Sequence, residues 1–254
     1  MVRGSPAPAL RGLVSAYSGF REEAPAPVRR REGPGVHAIV LVSFGEAWSI
    51  DGNRVESFAA GLHERQGTAE HRGRSFGIQV DLSPPAAHVL FREPMQELAD
   101  RVVPLEEVLG EPLLAERLHE RGDWPDRFAL LDSVLARRLC DAPAPSSEIS
   151  WAWQRLVQTG GRARIGSLAA ELGWSRKRIV VRFREEVGLA PKAAARLIRF
   201  ERARESAERA EARDWARIAL ECGYYDQSHL INDFRAVTGR SPETFFQDAQ
   251  AGAD

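Results

Sequence analysis

Two short runs of side chains in the last third of this 254-residue chain are suited to reading nucleic acid. The first holds Arg176, Lys177, Arg178, Val181 and Arg184; the second holds Gln227, Ser228, His229, Asn232 and Arg235. Arginine and lysine donate to phosphate oxygens and to the acceptor edge of guanine, while glutamine and asparagine pair with adenine. Val181 offers only apolar contact, for instance to a thymine methyl. Nothing comparable points to catalysis. Glu46, Asp51, Glu56 and His63 carry acid–base groups, but nothing in their spacing requires one site. His37, His63, His71 and His88 form no compact ligand motif. Two cysteines, Cys140 and Cys222, are too few for a disulfide scaffold or a zinc cluster. We therefore expect no catalytic residue, no metal and no cofactor.

The elements that must position these side chains occur twice. Ile165, Leu168, Ala169 and Leu172 mark one apolar helix face, and Trp215, Ile218, Ala219 and Cys222 repeat the spacing 50 positions later. Each helix then meets a glycine and an aromatic, Gly173-Trp174 and Gly223-Tyr224. The second turn has one extra residue. With the offset so lengthened, Ser175 matches Asp226, Ile179 matches Leu230, Phe183 matches Phe234 and Pro191 matches Pro242. Glycine tolerates the left-handed turn that ends a helix, and Ser175 and Asp226 are good N-caps for the next one. Ile179 with Phe183, and Leu230 with Phe234, are i, i+4 pairs that seat the second helix on the first. The opposite face of each second helix, which carries the two runs above, stays free. This is the logic of a helix-turn-helix, present in two copies. Pro191 to about Arg213 reads as a long helix joining them, of a length that matches one turn of B-DNA.

Charge supports the assignment once it is resolved along the chain. The total is −1, yet residues 161–199 carry 10 basic and 3 acidic side chains, whereas residues 214–248 carry 3 basic and 6 acidic. Binding a polyanion needs local positive potential rather than a positive total. Residues 1–147, with 17 basic and 21 acidic groups, do not supply it. No apolar run is long enough to span a bilayer and the first twenty residues lack the pattern of an export signal, so a cytoplasmic address with no membrane contact is expected.

Asp141 to Ser147 (DAPAPSS) cannot continue a helix and reads as a spacer. We expect a first domain over 1–143, a linker over 144–149 and a helical domain over 150–250. In the first domain, His37 to Phe44 is an apolar run that reads as a buried strand, and Trp48 to Ile50 before Asp51-Gly52 suggests a hairpin. Ser75 to Leu82 alternates, and Ala87 to Phe91 is a further short apolar stretch after Pro84-Pro85. Arg29, Arg30 and Arg31 read as a solvated edge. Beyond Pro94 the pattern turns helical, with Leu113, Leu114 and Leu118 on one face and Phe128, Leu131, Leu135 and Leu139 on another. The fold class expected is α+β: a small β-barrel with following helices, then an all-α domain of two helix-turn-helix units.

Residues 150–248 resemble the DNA-binding domain of the AraC/XylS family of regulators. The resemblance rests on the two units, on Pro191, Lys192, Arg196 and Arg199, and on Gly223-Tyr224, Phe234-Arg235 and Gly239-Arg240-Ser241-Pro242. It implies binding to the major groove of double-stranded DNA through the ten side chains named above. The family usually places a basic residue where Val181 and Asn232 stand, so those positions carry over in place more than in chemistry. It further implies a cupin-like sensor in the first domain, a small-molecule effector, RNA polymerase as a partner, and pairing with a second copy. Two other readings of the first domain are an enzyme fused to the reader and a module that only dimerises or binds a protein.

Overall fold

A computed structural model describes residues 1–140 and 142–251; Asp141, the first residue of the expected spacer, lies outside them. Short apolar runs broken by glycine and proline favour strands over helices in the first half of the chain. In chain order these are β1 (Val2–Gly4), β2 (Val14–Glu23), β3 (Val28–Glu32), β4 (Ala38–Ser43), β5 (Trp48–Ile50), β6 (Asn53–Val55), β7 (Phe58–Ala60), β8 (Gly67–His71) and β9 (Arg74–Leu82). Then come α1 (Pro84–Phe91), β10 (Val102–Pro104), α2 (Leu105–Leu109), α3 (Leu114–His119) and α4 (Trp124–Cys140). The strands form two antiparallel sheets rather than one closed ring: a six-stranded one in the order β1-β2-β9-β4-β7-β10 and a four-stranded one in the order β3-β8-β5-β6.

Strand β4 shows why the architecture follows from sequence. Its run AIVLVS is apolar on both faces because both faces are covered. Val40 and Val42 pack with Ile78, Val80 and Leu82 against the helices that follow, including Leu109, Leu118 and Leu131. Leu41 turns the other way, toward Trp48 and Ala69 of the small sheet. The expected hairpin is present: Asp51 (φ 48°) and Gly52 (φ 85°) are both left-handed, the geometry a two-residue hairpin turn demands. The arginine run lies on β3, an edge strand with Arg29, Arg30 and Arg31 exposed.

Three local expectations need correction. Ala87–Phe91 is not a strand but the body of α1, which Pro84 and Pro85 start rather than break, since proline suits a helix's first turn. Nearly every residue of that helix is buried, which erased the period that would have shown it. Leu113 does not share the buried face of Leu114 and Leu118; it precedes the helix and is 61% exposed. The segment beyond Pro94 is not wholly helical, because β10 pairs with β7 there. Strands β1, β2, β3, β7 and β8 were not foreseen.

The second half is helical throughout: α5 (Ser147–Gln158), α6 (Ile165–Glu171), α7 (Arg176–Val187), α8 (Pro191–Arg209), α9 (Trp215–Glu221), α10 (Gln227–Thr238) and α11 (Pro242–Ala251). Helix α5 starts inside the expected spacer because Ser146 caps it, accepting from the N–H of Ile149. One core joins both repeats, with Ile179, Phe183, Phe200, Leu230 and Phe234 all fully buried. The two halves also touch. The C-terminal end of α7 packs on a short turn at Met95–Glu97 and on α1, and Gly188 (φ 96°) runs close under the Met95 carbonyl.

Candidate nucleic-acid interface

Each repeat places an exposed helix N-terminus beyond a tight turn. In the first, α6 ends at Gly173 (φ 65°), and the Ser175 hydroxyl accepts from the N–H of Arg178 at 3.1 Å, opening α7. In the second, α9 ends at Gly223 (φ 86°), and Asp226 Oδ1 accepts from the N–H of His229 at 2.8 Å, opening α10. These are the glycines and caps expected from the sequence. Ile179 and Phe183 anchor α7, and Leu230 and Phe234 anchor α10, each at 0% exposure. The opposite faces are therefore left to solvent. Arg176, Lys177, Arg178, Val181 and Arg184 are all exposed, and so are Gln227, Ser228, His229, Asn232 and Arg235. The fold gathers the ten candidate residues into two exposed clusters, five on each second helix.

The clusters differ in preparation. The Arg178 guanidinium stacks over the Trp174 ring at 4.4 Å, so the aromatic of the turn holds a cation at the helix start. His229 meets Tyr224 edge to face at 5.3 Å in the matching place of the second unit. Lys177 and Arg184 make no ion pair among the described residues, which leaves their charge available to phosphate. Arg182, by contrast, is bound to Glu185 and Glu186. Arg199 of α8 ties the units together: it donates to the Gly161 carbonyl at 3.1 Å, pairs with Asp233 of α10 at 3.5 Å, and lies over Tyr224. Helix α8 has 19 residues, a length of roughly 28 Å. Successive major grooves on one face of B-DNA lie about 34 Å apart.

Sequence reasoning missed two features. Tyr225, the extra residue of the second turn, is 88% exposed one position before the cap. The insertion itself was the signal. The other is a cavity of about 580 Å³ between the two sheets. Its apolar wall comes from Phe20, Ile39, Leu41, Trp48, Phe58 and Val102; Arg21, Glu22, Arg30, His37, His63 and Arg65 add polar groups. The indole N–H of Trp48 is buried there without a hydrogen-bond partner. Burial pushes the His63 imidazole below its usual range, against the pull of Asp100 and Asp51. Among the described residues no group of three or more His, Cys, Asp or Glu side chains could hold a metal ion. No helix among them is long and apolar enough to cross a membrane.

Two exposed, capped helices on one core, joined by a helix of about the right length, define the class of double helix-turn-helix DNA-binding regulators. Residues 168–248 match the family described as "Helix-turn-helix domain", and this segment is a DNA-binding domain of the AraC type. No curated protein matches the chain. Among solved structures it is similar to ToxT from Vibrio cholerae in its P21 form, with a TM-score of 0.52 and 10% identity over 90% of this chain and 97% of that one. It is similar also to ToxT from Vibrio cholerae O395 bound to (E)-4-(8-methylnaphthalen-1-yl)but-3-enoic acid, with a TM-score of 0.51 and 8% identity over 90% and 97% of the two chains. At such identities the likeness concerns the fold, and it extends over both halves of the chain.

Proposed function

We propose that this chain is a one-component transcriptional regulator whose helices α7 and α10 enter the major groove of double-stranded DNA. The observation that carries the reading is the pair of exposed, capped helices, each seated by a fully buried i, i+4 pair. Arg176, Lys177, Arg178, Val181 and Arg184 are the contacts of the first unit; Gln227, Ser228, His229, Asn232 and Arg235 are those of the second. The first unit anchors, since phosphate attraction supplies much of DNA affinity and residues 161–199 hold the positive charge. The second, with its acidic surroundings, adds specificity. On this reading residues 1–143 form the sensing domain and 150–250 the reader, working in the cytoplasm with RNA polymerase and a second copy of the chain as partners.

The cavity between the sheets is the effector site. Its mostly apolar wall with a few polar groups suits an apolar molecule carrying an acidic end. The ToxT structure that holds an aryl-substituted butenoic acid supplies the precedent within this fold. Fluorescence anisotropy with duplex from upstream of the chain's own gene, against a scrambled duplex, tests the reader at two salt concentrations. Tighter binding to the native fragment, weakening steeply with salt, is expected; salt-independent binding of both duplexes would refute it.

A further inference from the structure

The connection from β7 to β8, Gly61 to Gln66, belongs to both halves of the molecule. Gly61, His63 and Arg65 line the cavity. Leu62, at 0% exposure, is part of the core of the DNA-reading half. Glu64 pairs with Arg196 of α8 at 2.5 Å. Gln66 donates its backbone N–H to the carbonyl of Val237, near the end of α10, at 2.9 Å. Gly61, His63 and Arg65 thus border the cavity, while Leu62, the Glu64 carboxylate and the Gln66 backbone engage the helical half. The segment is held rather than slack. Asp100 Oδ1 accepts from the Glu64 N–H at 2.8 Å, and the Asp100 N–H donates to the Leu62 carbonyl at 3.1 Å. A side chain at Gly61 would meet the Leu98 carbonyl oxygen at 2.5 Å.

The cavity's cations are not equivalent. Arg21 pairs with Glu23, and Arg30 pairs with Glu22. Arg65 makes no ion pair among the described residues, and it lies on this two-sided segment. The carboxylates lining the cavity are Glu22, Glu32 and Asp51; Glu22 is already paired with Arg30, and Asp51 accepts from the Thr68 N–H. We propose that Gly61–Gln66 is the relay of the regulator: Arg65, with His63, takes the anionic end of an apolar acid filling the cavity, and the displacement reaches α8 and α10 through Leu62, Glu64 and Gln66. This rests on the cavity being the effector site. Because packed cores shift between discrete arrangements rather than deform smoothly, movement on the cavity side must be felt on the other. The outer faces of α7 and α10 are exposed in this structure, so the relay acts on the relative placement of the two units rather than by uncovering them.

The test uses the full chain and (E)-4-(8-methylnaphthalen-1-yl)but-3-enoic acid with its methyl ester, by calorimetry, amide hydrogen exchange and DNA anisotropy. The acid is expected to bind more tightly than the ester, and Arg65→Ala to abolish the difference. Acid binding is expected to change the exchange rate of the Gln66 amide. It should also shift DNA affinity by about 5- to 150-fold, the usual range of allosteric coupling. Glu64→Gln, which points away from the cavity, should bind the acid as wild type does and lose that shift. Acid binding with no change at Gln66, or a full shift retained in Glu64→Gln, would overturn the relay and leave the effector site standing. Equal binding of acid and ester removes the role of Arg65. If neither binds, the effector site and the relay fall together.

Discussion

Lys177 and Ser228 occupy the same place in the two repeats, one residue past the start of α7 and of α10, and differ in charge. Phosphate contacts by cations dominate affinity and its salt dependence, whereas serine contributes at most a neutral hydrogen bond. Lys177→Ala should therefore weaken DNA binding more than Ser228→Ala and lower the salt slope by about one unit. The reverse order, measured by anisotropy titration, would mean that the second unit anchors. Glu186 makes a different prediction. It is 1% exposed at the end of α7, and burial raises its carboxyl pKa although Arg182 and His88 pull it down. A raised folded-state pKa stabilises the protein at low pH and loses that contribution as pH rises through it. Glu186→Gln should then raise Tm, relative to wild type, more at about pH 8 than at about pH 5. A gain confined to the acidic sample would show that the ion pair with Arg182 outweighs burial.

At the scale of elements, the caps and turns of the repeats carry stability. Ser175 satisfies an otherwise orphan N–H at the start of α7. Ser175→Ala should cost about 1 kcal/mol, read as a lower denaturation midpoint. Gly188 combines a φ of 96° with the Met95 carbonyl oxygen 2.9 Å from where a Cβ would stand. Gly188→Ala should cost roughly 1–3 kcal/mol, because strain and a close backbone approach add there. An unchanged midpoint in either variant would count against the local geometry. These elements were legible because the chain writes the pattern twice: a cap or glycine that is ambiguous once becomes readable when Ser175 and Asp226, or Gly173 and Gly223, recur in register. The strands were legible only in part. AIVLVS announced itself because both its faces are buried, and S-F-G-I-Q-V-D-L because one face is. Strand β2 mixes serine, glycine, arginine and glutamate, and its place is set by pairing with β9, a long-range partner that no local period reveals. The cavity was hidden for the same reason: Phe20, Ile39, Trp48 and Val102 come together only through strand order.

The whole molecule divides its charge as it divides its labour. Positive potential is concentrated around the first unit, and the N-terminal half, net acidic, carries a cavity instead. The two halves share buried contacts at Leu62 and around α7, so a ligand in one has a physical route to the other. The central claim, however, is the reading of DNA by two helices spaced on α8, and it is tested most directly by selection of bound duplexes from a random-sequence pool by the full chain. The account predicts enrichment of a bipartite motif whose halves lie about 10 base pairs apart, one helical turn. It also predicts loss of that enrichment in the Lys177→Ala, Arg178→Ala double variant. A pool that emerges without any enriched motif, or a motif that survives the double variant unchanged, would contradict it.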